Sequence, residues 1–214
     1  MEICELYYSI QGEGKWSGYP TVFVRAARCN LRCSFCDTKY AYLPGKKMDN
    51  EEIVKKVKAF RTRYVCITGG EPLLQRETID LLDLLLKEKF RVVLETNGSI
   101  DIEEAVEKFS GYGENLLISL DIKCPSSGMH ERMKLDNIEK LRDVDQLKFV
   151  IMDREDYEYA KNLIGEFEPK SEIFFQPVWG TDPKKLARWL MEDALDARLS
   201  LQIHKIIWGE RRGV

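Results

Sequence analysis

The sequence predicts an α/β fold built on a parallel sheet, in one domain spanning residues 1–214. Two observations carry this. Beyond about residue 40, runs rich in Val, Ile, Leu and Phe alternate with helical patterns, the order that lays strands side by side with helices between them. Polar and glycine residues recur just after these runs, as they do where the strand ends on one face of a (β/α) barrel build a common site. The 214 residues are 44% hydrophobic and 32% charged, enough apolar content for one core and too much for a disordered chain.

An edge strand is read over Glu2–Ser9 and a first full strand over Thr21–Ala27. Asp49, with Glu52 three residues on, has the capping-box arrangement that opens a helix over Asn50–Phe60. Further strands are expected over Tyr64–Thr68, Arg91–Glu95, Leu116–Asp121, Leu147–Ile151, Glu172–Gln176 and Ser200–His204. Helices are expected over Arg76–Lys89, Ile102–Phe109, Asp156–Phe167 and Pro183–Asp196, the first presenting its Leu81–Leu86 stretch to the core. Lys123–Arg142 is the least regular stretch, and no repeat or low-complexity linker divides the chain.

Charge narrows the function. With 33 Lys plus Arg against 36 Asp plus Glu and no basic block, the chain has no electrostatic footprint for a nucleic-acid backbone, so a small-molecule substrate is expected. No run approaches the roughly 18 apolar residues of a membrane span. The start, Met1-Glu2-Ile3-Cys4-Glu5, lacks the basic and apolar regions of a secretion signal. A cytoplasmic location without membrane contact is the expectation.

Of the six cysteines, Cys4, Cys66 and Cys124 are scattered, whereas Cys29, Cys33 and Cys36 form C-x3-C-x2-C in the loop after the first full strand. Three thiolates in a short loop suit zinc or an iron–sulfur cluster. Structural zinc asks for four closed positions, and the sequence offers neither a second C-x2-C pair nor a nearby His. A 4Fe–4S cluster held by three cysteines leaves one iron open to an exogenous ligand, which makes it a site for chemistry. Cys66 lies inside an apolar strand and reads as core, Cys4 lies on the edge strand, and Cys124 adjoins a Pro-Ser-Ser loop.

The cysteine loop resembles the signature of the radical S-adenosylmethionine (radical SAM) superfamily. Phe35 stands at that family's usual aromatic position, and Gly69-Gly70-Glu71-Pro72 resembles its segment for the methionine end of the cofactor. The resemblance implies a partial, incomplete TIM-type (β/α)6 barrel. It also implies S-adenosylmethionine on the open iron, cleaved by one electron from an external reductant of flavodoxin or ferredoxin type to give a 5′-deoxyadenosyl radical.

Nearly the whole chain further resembles the 7-carboxy-7-deazaguanine synthase family. The segments that carry this are Tyr8-Ser9-Ile10-Gln11-Gly12-Glu13-Gly14, Phe23-Val24-Arg25, Cys36-Asp37-Thr38, Asp121 to Met129, Gln176-Pro177 and Gln202 to Gly209. The resemblance implies a carbon–nitrogen lyase that rearranges 6-carboxy-5,6,7,8-tetrahydropterin to 7-carboxy-7-deazaguanine with loss of ammonia, for the 7-deazaguanine bases queuosine or archaeosine of transfer RNA. It implies Mg2+ on Thr38, a homodimer, and cofactor contacts at Phe35, Cys36, Asp37, Gly70, Asp121, Ile122, Lys123, Gln176, Pro177, Val178 and Trp179. Substrate contacts are implied at Ile10, Gln11, Gly12, Glu13, Arg25, Thr68, His204 and Val214. Chemically, Arg25 offers a fork for a carboxylate while Glu13 and the preceding backbone offer acceptors to the pterin's donors. Arg25 could equally pair with a structural acid, and His204 could equally be a core histidine.

Two other readings compete. A radical SAM activase that makes a glycyl radical on a partner protein shares the cysteine spacing but requires an open groove for a peptide. An electron-transfer or structural metal module without catalysis requires a fourth protein ligand, for which Cys66 and Cys124 are the candidates.

Overall fold

The computed structural model describes every residue from Met1 to Val214. Its nine strands are β1 (Glu2–Ile10), β2 (Pro20–Ala26), β3 (Lys46–Lys47), β4 (Tyr64–Gly69), β5 (Arg91–Thr96), β6 (Leu116–Ile122), β7 (Gln146–Ile151), β8 (Glu172–Pro177) and β9 (Arg198–Leu199). They form one sheet in the order β3-β1-β2-β4-β5-β6-β7-β8-β9. From β2 to β9 every pairing is parallel, while β1 runs antiparallel to β2 and β3. The sheet is open rather than closed, as expected for a partial barrel: the edge strands β3 and β9 are each two residues long and pair with no further strand.

The helices are α1 (Asn50–Lys58), α2 (Glu77–Lys87), α3 (Glu103–Lys108), α4 (Asn137–Lys140), α5 (Arg154–Phe167), α6 (Pro183–Glu192) and α7 (Ile203–Trp208). Period-2 alternation sorts each strand between two environments. Val22, Val24, Val65, Ile67, Val92, Leu94 and Ile118 join the large core beneath the helices, which includes Ile53, Val57, Leu82 and Leu85. The opposite parity of the same strands contributes Phe23, Cys66, Val93 and Leu117, which form a separate small cluster packed by Tyr7 and Trp16. Register aligns these side chains as a single layer, Phe23 opposite Cys66, Cys66 opposite Val93, and Val93 opposite Leu117. That layer plugs the concave side of the sheet and forms the floor on which a site can stand.

Two expectations fail locally. Ser200–His204 is not a strand: β9 ends at Leu199 and the chain enters α7 at Ile203. The Ile203 amide donates to the Gly12 carbonyl at 3.1 Å, so this stretch satisfies its backbone on the loop after β1 instead of lengthening β9. Ile203, Ile206 and Ile207 also have i, i+3, i+4 spacing, so a helical period was present beside the alternating one. Asp49 caps α1 in an extended conformation and its carbonyl accepts from the Ile53 amide, but its side chain makes no cap bond, so the capping box is not formed.

Candidate active site

Above the apolar floor, the same strand parity turns polar. Arg25 on β2 lies in register with Thr68 on β4, Glu95 on β5 with Ser119 on β6, and Asp121 on β6 with Lys148 on β7. These residues face a cavity of about 520 Å3, apart from Ser119, whose hydroxyl accepts a hydrogen bond from Gln146 at 2.7 Å. The cavity walls are completed by the loop after β1, the cysteine loop after β2, and the chain around α7.

Cys29, Cys33 and Cys36 all line this cavity. The Cys29 thiol accepts from the Leu31 amide at 3.4 Å and from the Asn97 side-chain amide at 3.7 Å, the kind of donors that support a thiolate. Burial pushes the Cys29 and Cys33 thiols above their ordinary value, so a cationic partner is needed to hold them deprotonated. No three His, Cys, Asp or Glu side chains converge as a single-ion site requires. Three thiols of one short loop, all open to the cavity, fit an iron–sulfur cluster held by three ligands. Cys66 and Cys124 are fully buried outside the cavity wall, so neither supplies a fourth ligand.

The Gly69-Gly70-Glu71 turn locks the loop in place. A Cβ on Gly69 would lie 2.2 Å from the Ala26 carbonyl oxygen, and one on Gly70 would lie 2.0 Å from that of Arg28, so only glycines let the two strand ends touch. Glu71 is completely buried and accepts from the Leu73 amide (3.0 Å), the Thr96 hydroxyl (2.9 Å) and the Asn97 amide (2.7 Å). Burial nevertheless pushes its carboxyl upward. Its role is to join the end of β4 to that of β5, beside the cysteines.

A second cluster of charges lies across the cavity. Lys148 on β7 pairs with Glu13 at 2.8 Å and with Asp121 at 3.2 Å, and Asp121 also pairs with Lys123 at 2.9 Å. Gln202 donates to the other Glu13 oxygen at 2.7 Å. Burial opposes ionisation of Glu13, but Lys148, with His204 and the Gln202 hydrogen bond, outweighs it and holds the carboxyl far below the usual range. Each Glu13 oxygen keeps a lone pair for a ligand. Burial pushes His204 below its ordinary value against the pull of Glu13, leaving a neutral imidazole at pH 7. Gln176 is 3% exposed, lines the cavity, and has no partner for its side-chain oxygen, the signature of a group awaiting a ligand's donor.

Among the expected site residues, Ile10, Gln11, Gly12, Glu13, Arg25, Phe35, Cys36, Asp37, Thr38, Thr68, Gly70, Asp121, Lys123, Gln176, Val178, Trp179, His204 and Val214 all line this one cavity. Ile122 and Pro177 do not. Alternation turns Ile122 into the large core between Asp121 and Lys123, and it turns Pro177 towards a smaller cavity shared with Met152 and Trp189. Arg25 pairs with a structural acid: its Nε meets Glu5 at 2.8 Å and one terminal nitrogen donates to Tyr7 at 2.8 Å, while the residue borders the cavity. Thr38 donates to the Asp37 carboxylate at 2.9 Å, whose other oxygen binds Lys205 at 2.6 Å.

Glu95, Asn97, Lys148 and Lys205 also line the cavity, without a binding role expected for them from the sequence. Strand parity would have found two of them, since Glu95 follows Val93 by two and Lys148 aligns with Asp121. Glu95 accepts from Thr68 at 2.8 Å and from Gln11 at 3.3 Å, tying three walls together.

An incomplete parallel barrel with a three-cysteine loop at its first parallel strand end defines a class of enzyme. The profile of the radical SAM superfamily matches residues 23–164. Over 208 residues the chain is 40% identical to the 7-carboxy-7-deazaguanine synthase of Methanospirillum hungatei, covering 97% of this chain and 85% of that protein. It is 37% identical to the synthase of Thermoplasma acidophilum over the whole of both chains. The crystal structure of QueE from Escherichia coli superposes with a TM-score of 0.72 over 94% of this chain and 93% of that one, at 23% identity, a likeness of fold. The chain belongs to the radical SAM superfamily and, within it, to the 7-carboxy-7-deazaguanine synthase family.

Proposed function

We propose that this single-domain chain converts 6-carboxy-5,6,7,8-tetrahydropterin to 7-carboxy-7-deazaguanine and ammonia. The observation that carries this is the pairing, within one cavity, of a three-cysteine loop with a carboxylate acceptor, Glu13, held in an ion pair with Lys148 at 2.8 Å. A cavity of about 520 Å3 suits a nucleoside-sized cofactor beside a bicyclic substrate, which favours a small-molecule reaction over the activase.

Bound at Cys29, Cys33 and Cys36, a 4Fe–4S cluster with S-adenosylmethionine supplies the organic radical that starts the reaction. Phe35, Cys36, Asp37, Gly70, Asp121, Lys123, Gln176, Val178 and Trp179 line the cofactor's share of the cavity, with the Gln176 oxygen free to accept a donor. Across from them, Glu13 and the Ile10-Gln11-Gly12 backbone accept from the pterin's guanidine-like edge, with Thr68 beside them. Arg25 and His204 take the carboxylate end, while the main-chain carboxylate of Val214 accepts from the pterin's donors. Thr38, beside Asp37, offers a hard oxygen for Mg2+, which fills its remaining positions with water and substrate oxygens.

No helix is long and apolar enough to cross a membrane. A cytoplasmic homodimer, reduced by a flavodoxin or ferredoxin type donor and feeding queuosine or archaeosine synthesis without touching RNA itself, completes the reading. Its test is an anaerobic assay of the cluster-reconstituted protein with S-adenosylmethionine, reductant, Mg2+ and 6-carboxytetrahydropterin, followed by product mass. Formation of 7-carboxy-7-deazaguanine is expected. Deoxyadenosine without that product overturns the substrate, and absence of both cluster and cofactor cleavage overturns the whole reading.

A further inference from the structure

Lys148 is the one buried cation that touches both halves of the cavity. Its side chain is 8% exposed and bridges Glu13, on the side read as the pterin's, to Asp121, on the side read as the cofactor's. The two carboxylates are not equally dependent on it. Asp121 keeps a second cation, Lys123, at 2.9 Å, whereas Glu13 has no other cation in ion-pair contact and only the uncharged Gln202 as a further donor.

We propose that Lys148 is a positioning residue for the substrate: it holds Glu13 ionised and oriented so that both carboxylate oxygens present a lone pair to the pterin's donors. This deepens the pterin reading above and rests on it. A buried carboxylate stripped of its only cation does not remain charged but takes up a proton, and a protonated Glu13 offers one donor where the pterin edge also offers donors. The groups around the pair set the direction of the effect. Glu13 is faced by Lys148, by His204 on α7 and by Asp37 in the cysteine loop; Lys148 is faced by Glu13, Asp121, Glu95 and Lys123. Without Lys148, only the pull of His204 and the Gln202 hydrogen bond oppose burial and the repulsion of Asp37, so the Glu13 carboxyl rises.

The test uses cluster-reconstituted holoenzyme under anaerobic conditions and reads binding of 6-carboxy-5,6,7,8-tetrahydropterin and of S-adenosylmethionine by calorimetry across pH, for wild type, Lys148→Met, Lys148→Gln and Glu13→Gln. Lys148→Met is expected to weaken pterin binding about tenfold or more while S-adenosylmethionine binding changes by less than about threefold, because Lys123 still pairs with Asp121. The loss should deepen as pH falls, with the acid limb of pterin binding moved upward. Lys148→Gln, which keeps a hydrogen-bond donor and removes the charge, should show the same upward movement. Adding Lys148→Met to Glu13→Gln should cost little more than Glu13→Gln alone. Equal weakening of both ligands, or an acid limb that stays in place in a folded Lys148→Gln, overturns the proposal. If wild type binds no pterin, the substrate reading falls and this inference with it; if wild type binds and the Lys148 variants bind equally well, only this inference falls.

Discussion

Gly12 and His204 fill a single space from opposite ends of the chain: a Cβ on Gly12 would lie 1.8 Å from the His204 Nδ1. The contact holds because the Gly12 carbonyl accepts from the Ile203 amide at 3.1 Å, seating the start of α7 directly on the loop after β1. The cavity wall is closed by that seam.

A methyl group at this position must displace the imidazole. Gly12→Ala is expected to destabilise the fold by about 1–3 kcal/mol through overpacking, seen in chemical denaturation, and to raise the KM for the pterin. Gly111→Ala, where an added Cβ meets nothing within 4 Å, serves as the neutral comparison.

Replacing Cys29, Cys33 or Cys36 by Ser should abolish cluster assembly, read as iron content and electron paramagnetic resonance of the reduced protein. Cys66→Ala and Cys124→Ala should retain the cluster, since both side chains are fully buried away from the cavity. Loss of iron on changing either one would restore the reading of a four-ligand electron-transfer module.

Glu71→Gln keeps the shape of the side chain but places an amide nitrogen where one of the three bonds to Leu73, Thr96 and Asn97 needs an acceptor. The expected cost is about 1–3 kcal/mol, because a buried donor is left unmet. The joined ends of β4 and β5 support Cys29 through Asn97, so slower cluster reconstitution should accompany the loss of stability.

His204 titrates below its ordinary 6.5 because burial outweighs the pull of Glu13, Asp37 and Glu95, with Lys205 adding to the depression. The sign follows from proton uptake. As pH falls below about 6.5 the unfolded chain protonates this imidazole before the folded one does, so stability is full above that pH and is lost below it. Denaturation midpoints of wild type and His204→Gln should therefore differ in slope as pH falls below about 6.5, the wild type falling more steeply. Parallel slopes would show that the imidazole is not protected.

The strands β2 and β4 to β8 are legible in the sequence because each is a dense apolar run whose burial on both faces leaves little choice of period. The last segment is not. Leu201 to Trp208 has both an alternating and a helical pattern, and only its seat on Gly12 decides for the helix. Ile122 and Pro177 lie between cavity-lining neighbours, and strand alternation turns their side chains away from the cavity.

The site divides along the same line. Sequence alone determined the cysteine loop, the Gly69-Gly70-Glu71-Pro72 turn and the residues that flank them, because their chemistry depends on spacing within a few positions. Only tertiary structure decided that Arg25 is shared with Glu5, that Lys148 binds Glu13 to Asp121, and that Glu95 ties Thr68 to Gln11. Those contacts join segments distant in sequence, and a charge on a strand carries no mark of its partner until register brings the two within a few ångströms, where burial makes the pairing strong.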